Sequence, residues 1–279
     1  MKILLTNLQL WPFRGSENWC YAIGMELIRR GHEVFIYSPL PREGIPWYEA
    51  KGIKYTTSGE FDLILENHNV LTQNLKGKCI IHTCHGTIVE ERPMNGVINV
   101  AVSEKAAIKW NLNTIIKNGI DTERMRPLHT PSKEIHNVLS LCSSKEADIV
   151  LNNICNKLGY ALTTTYGHEI PDVEHAINNS DLVFGVGRSV YDAMSCGRPV
   201  ISFDCRSYIH PMHGCGYVYP DMVRDNTDNM TGKNMTWTEE QLIIQIEKYN
   251  TEDGTANRDY IINNLNIKDT VDKYLELAV

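Results

Sequence analysis

The chain has 279 residues, of which 42% are hydrophobic and 22% charged, a composition that excludes disorder and low complexity and favours a globular protein. The length favours two compact domains over one large α/β unit. The formal net charge of −7 disfavours a protein held to nucleic acid mainly by its overall field. Because no apolar run has the length of a spanning helix or the character of a signal peptide, we expect a cytoplasmic protein without stable membrane insertion.

Charge is divided unevenly along the chain. Residues 1–126 carry 15 Lys and Arg against 13 Asp and Glu, whereas residues 127–279 carry 12 against 21. An anionic acceptor is therefore better suited to the first half. The eight cysteines are scattered through apolar stretches, which favours reduced, mostly buried thiols over a disulfide framework.

The beginning of the chain has the pattern of strand, loop, helix and strand. Residues 1–6 and 31–37 predict strands, and residues 16–30 between them have an apolar face at helical spacing. Ser16 can cap this helix and Gly31 can end it, so a parallel βαβ unit is predicted. Later in this half, strands are predicted at residues 62–65, 79–83, 97–102 and 114–116, and a helix at residues 104–111.

A Pro-rich segment at residues 126–133 predicts a linker, and the α/β alternation then begins again. The predicted strands are residues 136–142, 160–164, 181–186 and 199–203, and the predicted helices are residues 145–158, 171–178 and 189–195. Residues 221–236 predict a loop, which is followed by predicted helices at residues 239–249, 258–265 and 270–277. The pattern favours two α/β halves joined near residue 127.

One glycine-rich loop has the composition of an anion site. Gly187 follows a predicted strand and precedes a helix that begins near Ser189. Ligands bind parallel sheets beyond the carboxyl ends of the strands, and the free amides at a helix start bind phosphate. With the Arg188 guanidinium beside them, these amides predict a phosphate or diphosphate site. The alternative is an ordinary tight turn with a helix cap.

The segment around this loop resembles the donor-binding region of retaining GT-B glycosyltransferases. In that family a Glu, seven residues and a second Glu precede Ala-Met-Ala-Cys-Gly-x-Pro-Val-Ile, and here Asp192 precedes Ala-Met-Ser-Cys-Gly-Arg-Pro-Val-Ile. The first acidic position falls on Phe184, which departs from the family pattern. The resemblance implies that Asp192, a catalytic candidate, binds the ribose hydroxyls of a nucleotide. The donor-binding candidates that it implies in this segment are Gly187, Arg188, Ser189, Val190 and Asp192.

Three further segments match the same family in the same order. Residues 14–17 (Arg-Gly-Ser-Glu) resemble its Gly-Gly-x-Glu loop, and residues 83–86 (Thr-Cys-His-Gly) resemble its Thr-x-His segment. Residues 102–103 (Val-Ser) and 118–121 (Asn-Gly-Ile-Asp) resemble the end of its first domain. The resemblance therefore covers about residues 1–204.

These matches imply roles for several residues of the first half. His85 is expected to face the transferred sugar and is the second catalytic candidate, with a satisfied structural histidine as the alternative. Gly15 and Ser16 are donor-binding candidates, although the turn they form is needed structurally in any case. The acceptor-side candidates are Trp11, Arg14 and Glu17. An aromatic side chain such as Trp11 stacks on sugars or on bases and does not choose between them.

Two donor-binding candidates lie elsewhere in the second half. Lys145 fits the family's Lys that neutralises the diphosphate, while the matching Arg position falls within residues 141–144, which contain no Arg. We therefore expect Lys145 and Arg188 to share that charge. Ile170 is the candidate for contact with the nucleobase, in a loop after a predicted strand.

Two Cys/His clusters raise the alternative of a zinc site. They comprise Cys79, His82, Cys84 and His85, and Cys205, His210, His213 and Cys215. Neither contains a Cys-x-x-Cys pair, and the residues of the first point alternately to opposite faces of a strand. We expect no metal ligands, and the resemblance implies no obligatory cofactor beyond a nucleotide sugar such as a UDP- or GDP-sugar.

The resemblance implies an α/β protein of the GT-B fold, with two Rossmann-like domains and a donor cleft between them. The expected parts are an acceptor domain at residues 1–126, a donor domain at residues 127–265, and a helix at residues 266–279 that packs back on the first domain. The expected activity is transfer of a hexosyl or pentosyl group to an acceptor hydroxyl with retention.

Several acceptors and reactions stay open at this point. The compact chain resembles small phage enzymes that glycosylate hydroxymethylated or already glycosylated DNA bases, and polysaccharide or glycolipid precursors are the other acceptors. A sugar-nucleotide 2-epimerase is an alternative that needs paired carboxylates near the sugar. The loss of the first Glu at Phe184 argues against the epimerase and raises a third alternative, a catalytically degenerate nucleotide-sugar binder.

Overall fold

The chain folds into two α/β units. The computed structural model describes residues 1–167, 172–206, 212–232 and 235–278. The first unit comprises Met1–Asp121 and the segment that follows Asn264, and the second comprises Thr122–Asn264. The division therefore lies at the end of the Asn-Gly-Ile-Asp turn, slightly before residue 126.

The strands of both units are short, and all are parallel to their neighbours except the last. They are β1 (Lys2–Thr6), β2 (Glu33–Tyr37), β3 (Lys54–Tyr55), β4 (Gly59–Glu66), β5 (Leu75–Cys84), β6 (Ile98–Ala101), β7 (Asn137–Ser140), β8 (Ala161–Thr164), β9 (Leu182–Gly185), β10 (Val200–Asp204) and β11 (His213–Tyr217). The first sheet has the order β3-β2-β1-β4-β5-β6 and the second has the order β11-β10-β9-β7-β8, with β11 antiparallel to β10. Parallel pairing brings the carboxyl ends of the other strands of each sheet to one edge, where ligands of such sheets bind.

Helices connect the strands. They are α1 (Gly15–Arg29), α2 (Gly44–Glu49), α3 (Glu104–Trp110), α4 (Lys145–Leu158), α5 (Val173–Asn178), α6 (Arg188–Ser195), α7 (Pro220–Asp225), α8 (Glu239–Ile246), α9 (Thr251–Asn264) and α10 (Ile267–Leu277), with a 3₁₀ turn at Val89–Glu91. In the described part of the chain, no helix is long and apolar enough to cross a membrane.

Helix α1 covers the first sheet with one apolar stripe. Trp19, Ile23 and Leu27 recur every four residues and are almost fully buried in the core of the first unit. Gly31, with φ of +79°, lies just beyond the end of the helix. The positions that the sequence assigns to this helix therefore hold it against the sheet.

The C-terminal helix α10 belongs to the same core. Ile267, Val271 and Tyr274 are buried with the side chains of α1 and β1, and the Tyr274 hydroxyl lies 3.0 Å from Thr83 Oγ1. A Cβ at Gly119 would lie 2.8 Å from Ile267 Cα, so this close approach of the chain requires glycine. The end of the chain thus completes the first unit.

The second unit has its own core between its sheet and helices. Phe184 and Phe203 are fully buried with ring centroids 6.3 Å apart, and Leu151 of α4 packs in the same cluster. Helix α4 is defined at both ends, because Ser144 Oγ accepts from the Ala147 N–H and Gly159 has φ of +77°.

Several predicted elements differ from the structure. Residues 114–116 form only a single bridge between Ala101 and Ile115, and α7 interrupts the stretch predicted as a loop. Helix α9 begins at Thr251, well before the predicted residue 258. The local sequence patterns of these elements are weak, so tertiary packing determines whether they form and where they begin.

Candidate functional site

The start of α6 lies at the carboxyl edge of the second sheet. Gly187 connects β9 to the helix with φ of +64°, a conformation that favours glycine, and its N–H lies 3.4 Å from Met230 O. Among the described residues, no side chain caps this helix start. The positive end of the α6 dipole therefore lies at this edge of the sheet.

Arg188 and Asp192 lie one turn apart on α6 and are both buried. The Arg188 Nε lies 3.6 Å from Asp192 Oδ2, and their side chains are 8% and 6% exposed. Asp192 Oδ1 is buried and accepts no hydrogen bond from the described residues. An unmatched buried acceptor costs about 1–3 kcal/mol, which makes Oδ1 a candidate acceptor for a hydroxyl or amide of a ligand.

Burial sets the electrostatics of Asp192. It raises the pKa of the Asp192 carboxyl, while the Arg188 and Arg124 guanidiniums lower that pKa in part. Arg124 is itself paired with Glu174, to which it donates from Nε at 3.0 Å and from Nη2 at 2.7 Å. The buried Asp192 carboxyl thus lies near a half-buried Arg–Glu pair.

The other candidates of this segment differ in what they present. Ser189 is half-buried, whereas Val190 is fully buried and its N–H donates to Gly187 O at 3.1 Å. Val190 therefore packs in the interior of the second unit. Ile170, the candidate for the nucleobase, lies outside the described residues.

The family's missing first acidic residue has a structural explanation. Phe184 lies within β9 and packs against Phe203 in the core, so a side chain at this position cannot reach the carboxyl edge. Only Val186 and Gly187 separate β9 from α6. The position that seven residues separate from Asp192 therefore falls in a strand, because the loop is so short.

Lys145 is the first residue of α4, at the same edge of the sheet. Its side chain is exposed, directly after the cap residue Ser144. A cation at a helix N-terminus is disfavoured by the dipole, so helix stability alone does not explain Lys145. An anion bound at this edge would explain it.

In the first unit, the loop between β1 and α1 is held by its own polar groups. The Glu17 carboxylate accepts from the Arg14 N–H at 3.0 Å and from Asn7 Nδ2 at 3.1 Å, and Asn7 Nδ2 lies 3.3 Å from Ser16 Oγ. Glu17 is 1% exposed, and burial raises its pKa. Glu17 thus caps α1 and is not on the surface, where an acceptor-side residue is expected.

The remaining candidates of this loop are accessible. Arg14 and Gly15 are exposed, and no atom lies within 4 Å of a Cβ built on Gly15. Trp11 is half-buried, with its ring centroid 6.0 Å from that of Phe13. The surface here combines an aromatic ring with a cation.

His85 follows β5 and is held by neighbours from two elements. Its Nε2–H donates to Asn67 Oδ1 at 3.0 Å, because an amide oxygen only accepts. Its ring lies 5.5 Å from Trp19 and 6.2 Å from His68, measured between centroids. His85 is half-buried at the carboxyl edge of the first sheet.

Sequence reasoning missed the loop after β4. The side chains of Glu66 and His82 are fully buried and joined by a hydrogen bond, and Asn67, which directly follows Glu66, holds His85. His82 Nε2 and His68 Nδ1 are buried without a partner among the described residues. The sequence contains a signal for this loop, because the polar segment Glu-Asn-His-Asn at residues 66–69 directly follows the predicted strand at residues 62–65.

All eight cysteines are free thiols, and all but Cys79 are buried. Among the described residues, no group of His, Cys, Asp or Glu has an arrangement that could hold a metal ion. His210, a member of the second Cys/His cluster, lies outside that part of the chain.

Comparison with known proteins shows that the fold of this chain is similar to that of several solved structures. No family model and no curated protein matches the sequence. A solved glycosyltransferase from Rickettsia africae is 12% identical with a TM-score of 0.62, over 99% of this chain and 97% of that one. HepE from Anabaena, solved with UDP and glucose, is 12% identical with a TM-score of 0.63, over 99% of each chain.

The same architecture also occurs with another activity. A Listeria monocytogenes protein assigned as a UDP-N-acetylglucosamine 2-epimerase is 12% identical with a TM-score of 0.53, over 98% of this chain and 94% of that one. The predicted fold is confirmed: the chain is an α/β protein with the GT-B fold and two Rossmann-like domains. The fold does not select the reaction, which must be argued from the site.

Proposed function

We propose that the protein transfers a sugar from a nucleoside diphosphate to a hydroxyl of an acceptor. In this proposal the start of α6 binds the diphosphate through the amides of Arg188 and Ser189, with the charge of Lys145 nearby. Asp192 Oδ1 accepts a hydrogen bond from a ribose hydroxyl. The observation that carries the proposal is the buried Asp192 carboxylate with an unmatched oxygen, one turn from a helix start that lacks a side-chain cap.

The chemistry of such a transfer needs what this edge of the sheet offers. The bond between the anomeric carbon and the diphosphate breaks, and negative charge develops on the leaving diphosphate. Amides and cations fixed in place stabilise that charge without reorganising. HepE is solved with UDP and glucose on the same fold, which supports a nucleotide-sugar donor.

His85 has the proposed role of contacting the transferred sugar. Its hydrogen bond to Asn67 fixes the ring orientation, so a sugar hydroxyl would meet a preset imidazole. Retention at the anomeric carbon and a hexosyl or pentosyl group are proposed from the family resemblance alone. The anomeric coupling constants of the product by NMR would identify the stereochemistry.

The acceptor is proposed to bind the first unit near Trp11 and Arg14. An exposed guanidinium in the same loop as a half-buried indole suits an anionic acceptor that carries planar or sugar rings. Hydroxymethylated or glycosylated DNA, polysaccharide and glycolipid precursors meet that description. Transfer of radiolabelled sugar to each class, with the donor fixed, distinguishes them.

The first test is a melting-temperature panel with UDP, GDP, CDP, TDP and ADP and their common sugars. We expect one nucleoside diphosphate to raise the Tm of the wild type and to raise that of Arg188→Ala far less. Arg224→Ala is the matched control, because Arg224 is an exposed arginine of α7 in the same unit. It should respond to the nucleotide like the wild type.

The outcomes separate the candidate activities. Sugar transfer with slow donor hydrolysis supports the glycosyltransferase, whereas interconversion of two nucleotide sugars without an acceptor identifies an epimerase. Binding without turnover identifies a degenerate binder. No response to any nucleotide would contradict the donor site.

A further inference from the structure

The loop between β4 and β5 has a strained backbone close to His85. His68 and Asn69 are consecutive residues with φ of +67° and +55°. This left-handed conformation costs free energy for a residue with a Cβ, although asparagine tolerates it better than most. Such strain persists where the surrounding structure holds it, often at functional sites. His68 is therefore kept in its place against its own backbone preference.

Hydrogen bonds from neighbouring segments hold this loop. The Val70 N–H donates to Glu66 Oε1 at 2.7 Å, and Asn69 Nδ2 donates to Arg92 O at 3.2 Å. The other carboxylate oxygen of Glu66 is hydrogen-bonded to His82 Nδ1, and both of these side chains are fully buried. The buried Glu66–His82 pair thus anchors the strained turn to the sheet.

The turn places the His68 ring beside that of His85 at the carboxyl edge of the first sheet. Strands β4 and β5 are adjacent and parallel, and the two histidines follow their ends. The ring centroids are 6.2 Å apart, the ring planes are inclined by 21°, and both rings are half-buried. Two hydrogen bonds of about 3 Å each span such a separation, so one sugar can contact both rings.

Burial determines which hydrogen bonds the His68 ring can make. It lowers the pKa of the imidazole, an effect that Glu66 opposes and His82 reinforces, so the ring is uncharged at neutral pH. Within the described part of the chain, the buried His68 Nδ1 has no hydrogen-bond partner. A buried N–H without an acceptor is rarer than a buried acceptor without a donor, so the neutral ring carries its proton on Nε2.

We propose that His68 is a second sugar-binding residue, which donates its Nε2–H to a hydroxyl of the transferred sugar beside His85. This inference rests on the proposed function, since it adds a residue to the same site. An uncharged N–H donor suits a neutral hydroxyl, whereas a phosphate favours a cation or several amides. The anchored, strained turn between β4 and β5 then has the task of presenting this donor.

Calorimetric titration of His68→Gly tests the inference with two ligands. The probes are the nucleoside diphosphate selected by the melting panel and the matching nucleotide sugar. Glycine adopts φ of +67° without strain, so the variant should keep a Tm close to that of the wild type. We expect its affinity for the nucleotide sugar to fall about 3- to 10-fold, as for loss of one neutral hydrogen bond. Its affinity for the diphosphate should be unchanged.

Three further variants control for a structural role. His68→Gln places an N–H near the position of Nε2 and should recover part of the lost affinity. His68→Asn tolerates the left-handed backbone, but its shorter amide does not reach that position, so it should bind like His68→Gly and replaces that variant if glycine lowers the Tm. His129→Gly, at an exposed histidine of the second unit, should bind both ligands like the wild type. An equal loss for the two ligands would mean that His68 only holds the loop, and it would overturn the inference.

The inference and the proposed function fail in different ways. Unchanged nucleotide-sugar affinity of the His68 variants, together with weakened nucleotide binding by Asp192→Asn, overturns the role of His68 and leaves the donor site standing. A folded wild type that binds neither a nucleoside diphosphate nor a nucleotide sugar overturns both.

Discussion

The two helix starts that contain donor-binding candidates, those of α1 and α6, differ in how their polar groups are satisfied. At the start of α1, the Glu17 carboxylate accepts from the Arg14 N–H and from Asn7, and Gly15 has open space around it. At the start of α6, no described side chain caps the helix, and Gly187 has φ of +64°. The first start has an acceptor side chain of its own, whereas the second has room for an anion from outside.

This difference divides the proposed tasks between the units. The Glu17 side chain already accepts a hydrogen bond at the start of α1, so a phosphate has less to bind there than at α6. Sequence alone does not separate the two loops, because both place a glycine before a helix. We expect residues of the second unit to control donor affinity and His85 of the first unit to control turnover.

The largest expected effect is on turnover. His85→Ala should lower kcat by about 10²- to 10⁴-fold if the imidazole acts on the sugar during transfer, with donor affinity nearly unchanged. Steady-state kinetics with saturating acceptor measure the split between kcat and KM. His129→Ala, at an exposed histidine, is the control. An equal loss of donor affinity in His85→Ala would contradict the expectation that His85 controls turnover and the second unit controls donor affinity.

Asp192→Asn should weaken donor binding by roughly 10- to 100-fold, because an amide is a poorer acceptor for the ribose than a carboxylate. Calorimetric titration with the selected nucleoside diphosphate measures this loss. Asp221→Asn, at an exposed carboxylate of α7, should bind normally. Unchanged affinity of Asp192→Asn would show that Oδ1 is not a ligand of the nucleotide.

The two glycines should respond differently to alanine. Gly187→Ala forces a positive φ on a residue with a Cβ and should lower the free energy of unfolding by about 1–2 kcal/mol. Gly15→Ala meets no atom within 4 Å and should leave stability unchanged. Urea unfolding of both variants measures the contrast. Equal destabilisation would contradict the distinction between the helix starts.

The smallest expected effect is on the pH dependence of stability, through Glu17 of α1. Burial raises the pKa of Glu17 above its ordinary value of 4.5. Ionisation of Glu17 is therefore less favourable in the folded state than in the unfolded state. The free energy of unfolding falls as the pH rises from about pH 4 through the folded-state pKa. Glu17→Gln keeps an acceptor for the Arg14 N–H and does not titrate. Its stability relative to the wild type should therefore increase over that window, by less than about 1 kcal/mol. A decrease with rising pH would show that the Glu17 charge stabilises the cap.

Hydrophobic periodicity predicts the helices and strands whose apolar positions recur regularly. Strand β1, α1 and α4 were predicted nearly as they are, because their apolar positions and end residues agree. Strand β11 was missed, since His-Gly-Cys-Gly-Tyr has two glycines and no β-branched residue. Its pairing with β10 and burial in the sheet are tertiary effects that no local pattern carries.

The candidate site was predicted only in part, and for a physical reason. The motif located Gly187, Arg188 and Asp192 on one helix, but it did not reveal that Arg188 is paired with Asp192. Asn67 holds His85 from the end of a different strand, so spacing along the chain does not indicate it. Which loops meet at the ends of parallel strands can be predicted only when the strand order is known.

Hydrogen–deuterium exchange tests the central claim most directly. The protein is compared alone and with a saturating concentration of the nucleoside diphosphate that the melting panel selects. Slower exchange of the amides at residues 187–189, with a smaller change at residues 14–17, is the result that we predict. Protection confined to residues 14–17, or no protection at either helix start, would contradict a donor site at the start of α6.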